Sequence, residues 1–153
     1  MSETLRSAVL LFYTGISRPS AEILTEQQRD TEAGDARVLE SLHRTKDLGY
    51  CIKESLEQGD IERFGLLLDE HWQTKKRRSG KVSAPQLDDW YDLAKANGAL
   101  GGKIMGAGGG GFFMFCCPVS SRTRLREALT AAGLREMSYA FDLDGAKVLS
   151  HGD

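Results

Sequence analysis

The 153-residue sequence holds only three prolines, three cysteines and three histidines, and it has no long uninterrupted apolar run. Each scarcity removes a class of protein. A membrane-spanning helix needs about 18 or more consecutive apolar residues, whereas "AVLLFY" at 8–13 is only strand length. The cysteines, Cys51, Cys116 and Cys117, are odd in number, and neighbours 116 and 117 alternate faces of a strand. No disulfide framework is expected, which points to a reducing, cytoplasmic setting. His43, His71 and His151 are scattered without CxxC or HExxH spacing, so no metal centre is expected. The N-terminal stretch "MSETLRSAVLLFYTG" lacks a basic leader and a cleavage site, and reads as a strand rather than a signal peptide. Twenty basic against 22 acidic residues leave a net charge of −2, which argues against a general nucleic-acid or membrane-surface binder.

What is present fits one soluble globular domain: 41% apolar and 27% charged residues, in a chain long enough to bury its own core. After the 8–13 strand, Thr14-Gly15 makes a break, and "SAEILTEQQRD" predicts a helix. Gly34-Asp35 ends it and caps the next. From Asp35 to Gln58, Val38, Leu42, Thr45, Gly49, Ile52 and Leu56 recur at helical spacing, giving a helix of about 36 Å. Gly59-Asp60 turns the chain into a further helix with Ile61, Phe64, Leu68 and Trp72 on its buried stripe, packed antiparallel to the last. "SGKVSAP" at 79–85 is a loop, and Pro85 opens a helix running to Asn97. "FFMFCC" is strand-like, and Ser120 or Ser121 starts a helix ending at Gly133. "REMSYAFDL" and "AKVLS" read as closing strands joined by an Asp144-Gly145 hairpin. Strands at both ends of a helical middle predict an α+β fold: an antiparallel sheet of about four strands with helices packed on one face. No internal repeat or linker divides residues 1–153.

The densest signal is "GGKIMGAGGGG" at 101–111, with seven glycines running directly into an apolar strand. Gly106, Gly108 and Gly111 satisfy G-x-G-x-x-G, but that dinucleotide fingerprint needs a helix immediately afterwards, and a strand follows here. Gly111 is followed by Phe112 rather than Lys-Ser/Thr, which excludes a Walker A loop. A protein-kinase loop would need a strand lysine, His-Arg-Asp and Asp-Phe-Gly, and only "HRTKDLG" at 43–49 approaches any of these. Two readings survive with equal weight. The glycines can expose consecutive backbone amides to an anion, or they can let a helix cross the sheet closely.

"KIMGAGGGGFFMF" resembles the third motif of the GHMP kinases, the superfamily of galactokinase, homoserine kinase, mevalonate kinase and phosphomevalonate kinase. "LLFYTGISRPSAEIL" and "HWQTKKRRSGKVSAPQLDDWYDLAKANGALGGK" extend the resemblance over nearly the whole chain, towards the C-terminal half of the D-glycero-D-manno-heptose 7-phosphate kinase branch. That branch phosphorylates the anomeric hydroxyl of a sugar phosphate with ATP and Mg2+. The resemblance implies a ferredoxin-like C-terminal domain in which Gly106, Ala107, Gly108, Gly109, Gly110 and Gly111 line the phosphate end of the nucleotide site. It implies that Lys103 faces the same cavity, and that Thr14, Gly15 and Arg18 lie near the sugar-phosphate cleft.

The basic run "KKRR" with Lys81 puts five positive charges within residues 75–81. It reads first as a solvated helix C-terminus complementing the macrodipole. The resemblance raises a second reading, a clamp for the sugar's own phosphate by Lys76, Arg77 and Lys81. Asp69-Glu70 and Asp88-Asp89 read as solvated faces, and Trp72 and Trp90 as core anchors.

The family's Pro-x-x-x-Gly-Leu-Gly-Ser-Ser loop has no counterpart here: Pro19, Pro85 and Pro118 precede "SAEIL", "QLDDW" and "VSSRT". No catalytic residue of the family's first half is matched either. The expectation is a C-terminal domain that needs an N-terminal ATP-binding domain, in cis or in trans, and does not turn over alone. ATP and Mg2+ then belong to the complete enzyme, with sugar phosphate as the small-molecule partner. The alternatives are a kinase half acting on another sugar, or a non-catalytic association module whose exposed sheet face supports a homodimer.

Overall fold

A computed structural model describes residues 2–17, 19–78, 82–142 and 144–145, apart from the side chains of Ser20 and Glu22. Four strands, β1 (Val9–Tyr13), β2 (Gly101–Ile104), β3 (Phe112–Cys116) and β4 (Arg135–Met137), form one sheet in the order β2-β3-β1-β4. Every neighbouring pair is antiparallel. Because β3 lies antiparallel between β1 and β2, those two run parallel, which is the split βαβ arrangement of ferredoxin-like folds. The helices are α1 (Ser2–Ala8), α2 (Ser20–Glu32), α3 (Ala36–Gln58), α4 (Ile61–Arg78), α5 (Pro85–Ala96) and α6 (Arg122–Ala131).

Local chemistry sets most of these boundaries. Asp35 caps α3 by accepting from the amides of Arg37 (2.9 Å) and Val38 (3.3 Å). Gly59, in the left-handed region at φ 76°, ends it, and Asp60 then accepts from the Arg63 amide (2.9 Å) at the entry to α4. The tight turn returns α4 antiparallel against α3, as the spacing predicts. The contact face of α3 is rotated from the apolar stripe, however: Val38, Ser41, Leu48 and Ser55 are buried, while Gly49 is exposed. Small serines serve there because Ser41 Oγ donates to the Thr74 carbonyl of α4 (3.2 Å).

The sheet separates two cores. Leu10, Phe12, Ile104, Phe113 and Phe115 face the larger, built with Trp72, Leu87, Tyr91, Leu125 and Leu129 from α4, α5 and α6. Its aromatic rings interlock, with Phe113 and Phe115 at 4.9 Å and Trp72 edge-on to Phe113 at 6.0 Å. Val9 and Cys116 face the smaller core, with Ala8, Phe64 and Leu68. Cys116 and Cys117 thus enter opposite cores as free thiols, and burial pushes Cys116 up to about 12.

Helix α4 contributes to both cores because it lies along β2, the edge strand. The approach is backbone to backbone. A Cβ on Gly101 would stand 2.2 Å from the Gly65 carbonyl oxygen and 2.6 Å from the Asp69 nitrogen. A Cβ on Gly65 would stand 2.6 Å from Leu100 Cβ. The glycine run therefore divides its work: Gly101 serves close helix approach, and the residues after Ile104 form a separate turn.

Several expectations are corrected. Residues 2–8 are helical, and the strand begins at Val9. The signal for this helix is remote, since Arg122 Nη1 donates to the carbonyls of Ser7 and Val9 (2.8 Å each) at its C-terminal end. "REMSYAFDL" supplies only the three residues of β4. Pairing with β1 stops at Leu11↔Met137, because the next free carbonyl, Val9, is taken by Arg122 and by the Tyr139 hydroxyl (3.3 Å). "AKVLS" at 146–150 lies outside the described residues. Asp69 and Asp88 are partly exposed and also paired: Asp69 accepts from Tyr91 Oη (2.5 Å), and Asp88 from Lys76 Nζ (2.5 Å) and Ser83 Oγ (2.9 Å). No described helix is long and apolar enough to cross a membrane.

Gly101→Ala should cost about 3 kcal/mol or more, because backbone on the far side cannot yield. Gly49→Ala, in open space on an ordinary helix, should stabilise by about 0.5–1 kcal/mol. Urea unfolding of both variants checks the pair, and equal effects would contradict the helix–strand contact.

Candidate functional site

The turn between β2 and β3 holds five glycines at positive φ: Gly106 (78°), Gly108 (115°), Gly109 (75°), Gly110 (149°) and Gly111 (86°). Such a run is accessible only to residues without a Cβ. The loop is nevertheless fixed. Met105 donates to the Phe112 carbonyl (2.8 Å), Gly109 to the Val82 carbonyl (2.7 Å), and Gly111 to the Ile16 carbonyl (2.8 Å). Thr14, almost fully buried, closes the other side: its amide and its hydroxyl both donate to the Gly111 carbonyl (2.9 Å each), and the hydroxyl accepts from the Ile16 amide (3.2 Å). A Cβ at Gly110 would meet the Ile16 oxygen at 2.5 Å. Its inner half is therefore consumed by anchoring. At the outer end, the amides of Gly106, Ala107 and Gly108 make no hydrogen bond among the described residues, which leaves donors for an external acceptor.

The last turns of α4 reach this end of the loop. His71, Lys75 and Arg78, spaced i, i+4 and i+7, share one helix face. Lys75, only 6% exposed, donates from Nζ to the Gly106 carbonyl (2.5 Å). Lys103 projects from β2 beside them and is half-buried. No carboxylate pairs with Lys75, Arg78 or Lys103 among the described residues. Burial, reinforced by Lys103 and Arg78, holds the Lys75 ammonium down to about 8. Burial also lowers Lys103 and Arg78. His71 is pulled down to about 4, by burial first and then by Lys103, Lys75 and Arg78, and its buried Nδ1 has no partner among the described residues. The arrangement is a positive site lacking its counter-charge.

The residues singled out in the sequence fall into four groups. Lys103 lies on β2, and Gly106–Gly111 form the turn that follows it. Thr14 adjoins them as the latch of the loop, with its hydroxyl turned onto Gly111 and Ile16, while Gly15 is an exposed turn at φ 73°. Lys76 pairs with Asp88, and Arg77 donates to Thr74 Oγ1 (3.1 Å) in a groove it shares with Arg37, His43 and Arg44 of α3. Arg18 and Lys81 lie outside the described residues. Sequence reasoning missed His71, Lys75 and Arg78 as a set, although their helical spacing was there to be read. The Val82 and Ile16 carbonyls carry no side-chain signal at all.

Residues 52–135 match the model of the family described as GHMP kinases C terminal. The chain belongs to that family. This GHMP domain is 31% identical over 147 residues to a D-glycero-alpha-D-manno-heptose 7-phosphate kinase of Campylobacter jejuni, covering 96% of this chain and 43% of the relative. It is 32% identical over 130 residues to a galactokinase of Pyrococcus furiosus, covering 68% and 36%. In fold it matches L. major mevalonate kinase with a TM-score of 0.73 at 21% identity, over 80% of this chain and 37% of that one. The chain thus spans less than half the length of the proteins it matches.

The site gives stability a pH signature. Between pH 6.5 and 4 an unfolded His71 binds a proton that the folded one does not, so stability falls as pH is lowered through that window. The contribution of one such group is at most about 1.4 kcal/mol per pH unit. His71→Gln should flatten this part of the profile. Urea melts of both proteins at pH 6.5 and 4.5 measure it, and parallel losses would mean that His71 titrates normally.

Proposed function

We propose that this chain is the C-terminal domain of an ATP-dependent sugar-phosphate kinase of the D-glycero-D-manno-heptose 7-phosphate kinase type, with the glycine loop at the phosphate side of the nucleotide site. The observation that carries this reading is the loop itself: anchored on two sides, with unbonded amides at its outer end beside uncompensated cations. Phosphoryl transfer depends mainly on positioning and on stabilising charge over the phosphate oxygens. Amides that cannot swing and lysines that need no reorientation fit that requirement. Support for the sugar comes from the Campylobacter jejuni relative. The galactokinase relative keeps a neutral sugar as the second candidate, and the excess of cations favours a phosphorylated one.

ATP is the phosphoryl donor and Mg2+ its counter-ion in this reading. The lysines and loop amides of this chain fit phosphate oxygens; among the described residues no group of three His, Cys, Asp or Glu side chains is placed to hold a metal. Among the described residues no carboxylate pairs with the loop, Lys75, Arg78 or Lys103, so none is placed to accept the sugar's proton. The main nucleotide loop and the catalytic acid–base groups are then supplied by an N-terminal domain, and the isolated chain does not turn over.

ATP-dependent phosphorylation should be measured with Mg2+ for the chain alone and for the chain joined behind the N-terminal half of the Campylobacter jejuni relative, against heptose 7-phosphate, galactose and fucose. The chain alone should stay at background and the joined protein should phosphorylate the heptose phosphate. Gly108→Val, which forces a branched side chain against Val82 at φ 115°, should then lower kcat/KM by about a hundredfold or more, roughly 3 kcal/mol. Turnover of galactose alone would overturn the substrate class, and turnover by the isolated chain would overturn its dependence on a second domain. A homodimer that buries the loop would favour the association-module alternative.

A further inference from the structure

Lys75, Arg78 and Lys103 are drawn out of water together at one end of the glycine loop. Lys76 has Asp88, Lys95 has Asp69, Arg44 has Glu70 and Arg126 has Glu136. Lys75, Arg78 and Lys103 have no carboxylate among the described residues, in a chain with 22 acidic residues for 20 basic ones. Shortage of acids does not explain the omission. Complementing the helix macrodipole does not either, because Lys103 belongs to a strand, and dipole compensation does not require burial. Lys75 does pin the loop through the Gly106 carbonyl, but an ammonium has three donors and this bond uses one. Burying like charges side by side opposes folding unless an anion joins them.

We propose that Lys75, Arg78 and Lys103, together with the free amides of Gly106, Ala107 and Gly108, form a seat for a phosphate monoester dianion, with His71 as its inner wall. Two negative charges offset most of the three positive ones, and the tetrahedral oxygens can accept from ammonium, guanidinium and loop amides at once. The seat is distinct from the run first suggested by the sequence, Lys76, Arg77 and Lys81. It rests on reading the loop as the phosphate side of a kinase site, and it adds the substrate class: a ligand that carries its own phosphate. That phosphate belongs either to the sugar or to the nucleotide, and the probes separate the two.

The test follows the His71 imidazole by NMR in the purified chain while inorganic phosphate, glucose 6-phosphate or ATP is titrated in. An occupying phosphate still stabilises the imidazolium, although its second pKa of about 6 makes it a monoanion in solution where His71 titrates. The His71 pKa should therefore rise from about 4 by at least one unit, saturably. Affinity should fall above pH 8 as Lys75, facing Lys103, Arg78 and His71, loses its proton. Lys103→Met should weaken binding at least fivefold and Lys103→Arg should largely retain it, with circular dichroism confirming that both fold. A response to glucose 6-phosphate at least as strong as that to ATP assigns the seat to the sugar's phosphate. A response to ATP alone upholds the seat and assigns it to the nucleotide. No response to any probe at millimolar concentration, or equal responses of the parent and Lys103→Met, overturns it. The kinase reading fails on turnover by the joined protein, whereas this one fails on binding by the chain alone, so either can fall without the other.

Discussion

The close approach of α4 to the edge strand β2 governs the rest of the molecule. Two glycines, Gly65 and Gly101, remove the side chains that would hold helix and strand apart, and the helix then runs beside the strand. Ten residues of helix from Gly65 to Lys75 advance about 15 Å. The strand from Gly101 to Ile104 advances about 10 Å in the same sense, and two further residues bring the chain to Gly106. The match carries the end of the helix to the start of the glycine loop, where Lys75 meets the Gly106 carbonyl. Sliding the helix by one turn would move that ammonium about 5.4 Å and dismantle the site. The same contact covers an edge that would otherwise present unpaired backbone groups.

From that contact two properties of the site follow. The loop is rigid although it is mostly glycine, because Val82, Ile16 and Thr14 hold it from outside the hairpin. Glycine here supplies backbone shape, and the surrounding chain supplies order. The charges, in turn, are concentrated by burial: α4 places Lys75 in the interior of the molecule, while its immediate neighbours Lys76 and Arg77 find partners towards solvent. The proposed phosphate-binding role would draw on both properties, since donors that must reorganise during a reaction stabilise charge less well.

Elsewhere the fold is held by long-range polar clips between elements. Asp69 joins α4 to α5 through Tyr91 and Lys95, and Lys95 continues to the Leu100 carbonyl before β2 (2.6 Å). The buried Tyr91 hydroxyl is held well above its ordinary range by burial and by that carboxylate. Arg126 forks onto Glu136, tying α6 to β4 (2.6 and 3.1 Å). These clips hold the aromatic core around Trp72 and Phe113 between α4, α5, α6 and the sheet.

The sequence by itself determined the elements whose signals are local. Asp35 and Gly59 bound α3, Pro85 opens α5, and the apolar run after Gly111 becomes β3, because caps, turns and periodicity act within a few residues. The glycine motif at 101–111 likewise marked its own place, as the turn that joins β2 to β3. Tertiary structure decided what local signals cannot hold. It decided that 2–8 form a helix stopped by Arg122, that β4 ends at Met137, and that Gly101 serves packing while Gly106–Gly111 serve the turn. It also decided which cations of the basic run are satisfied and which are not. A charge run in a sequence has no environment; only after α4 was laid on β2 did Lys76 acquire Asp88 and Lys75 lose water without gaining a carboxylate among the described residues, and the field at the glycine loop exists only in that packing.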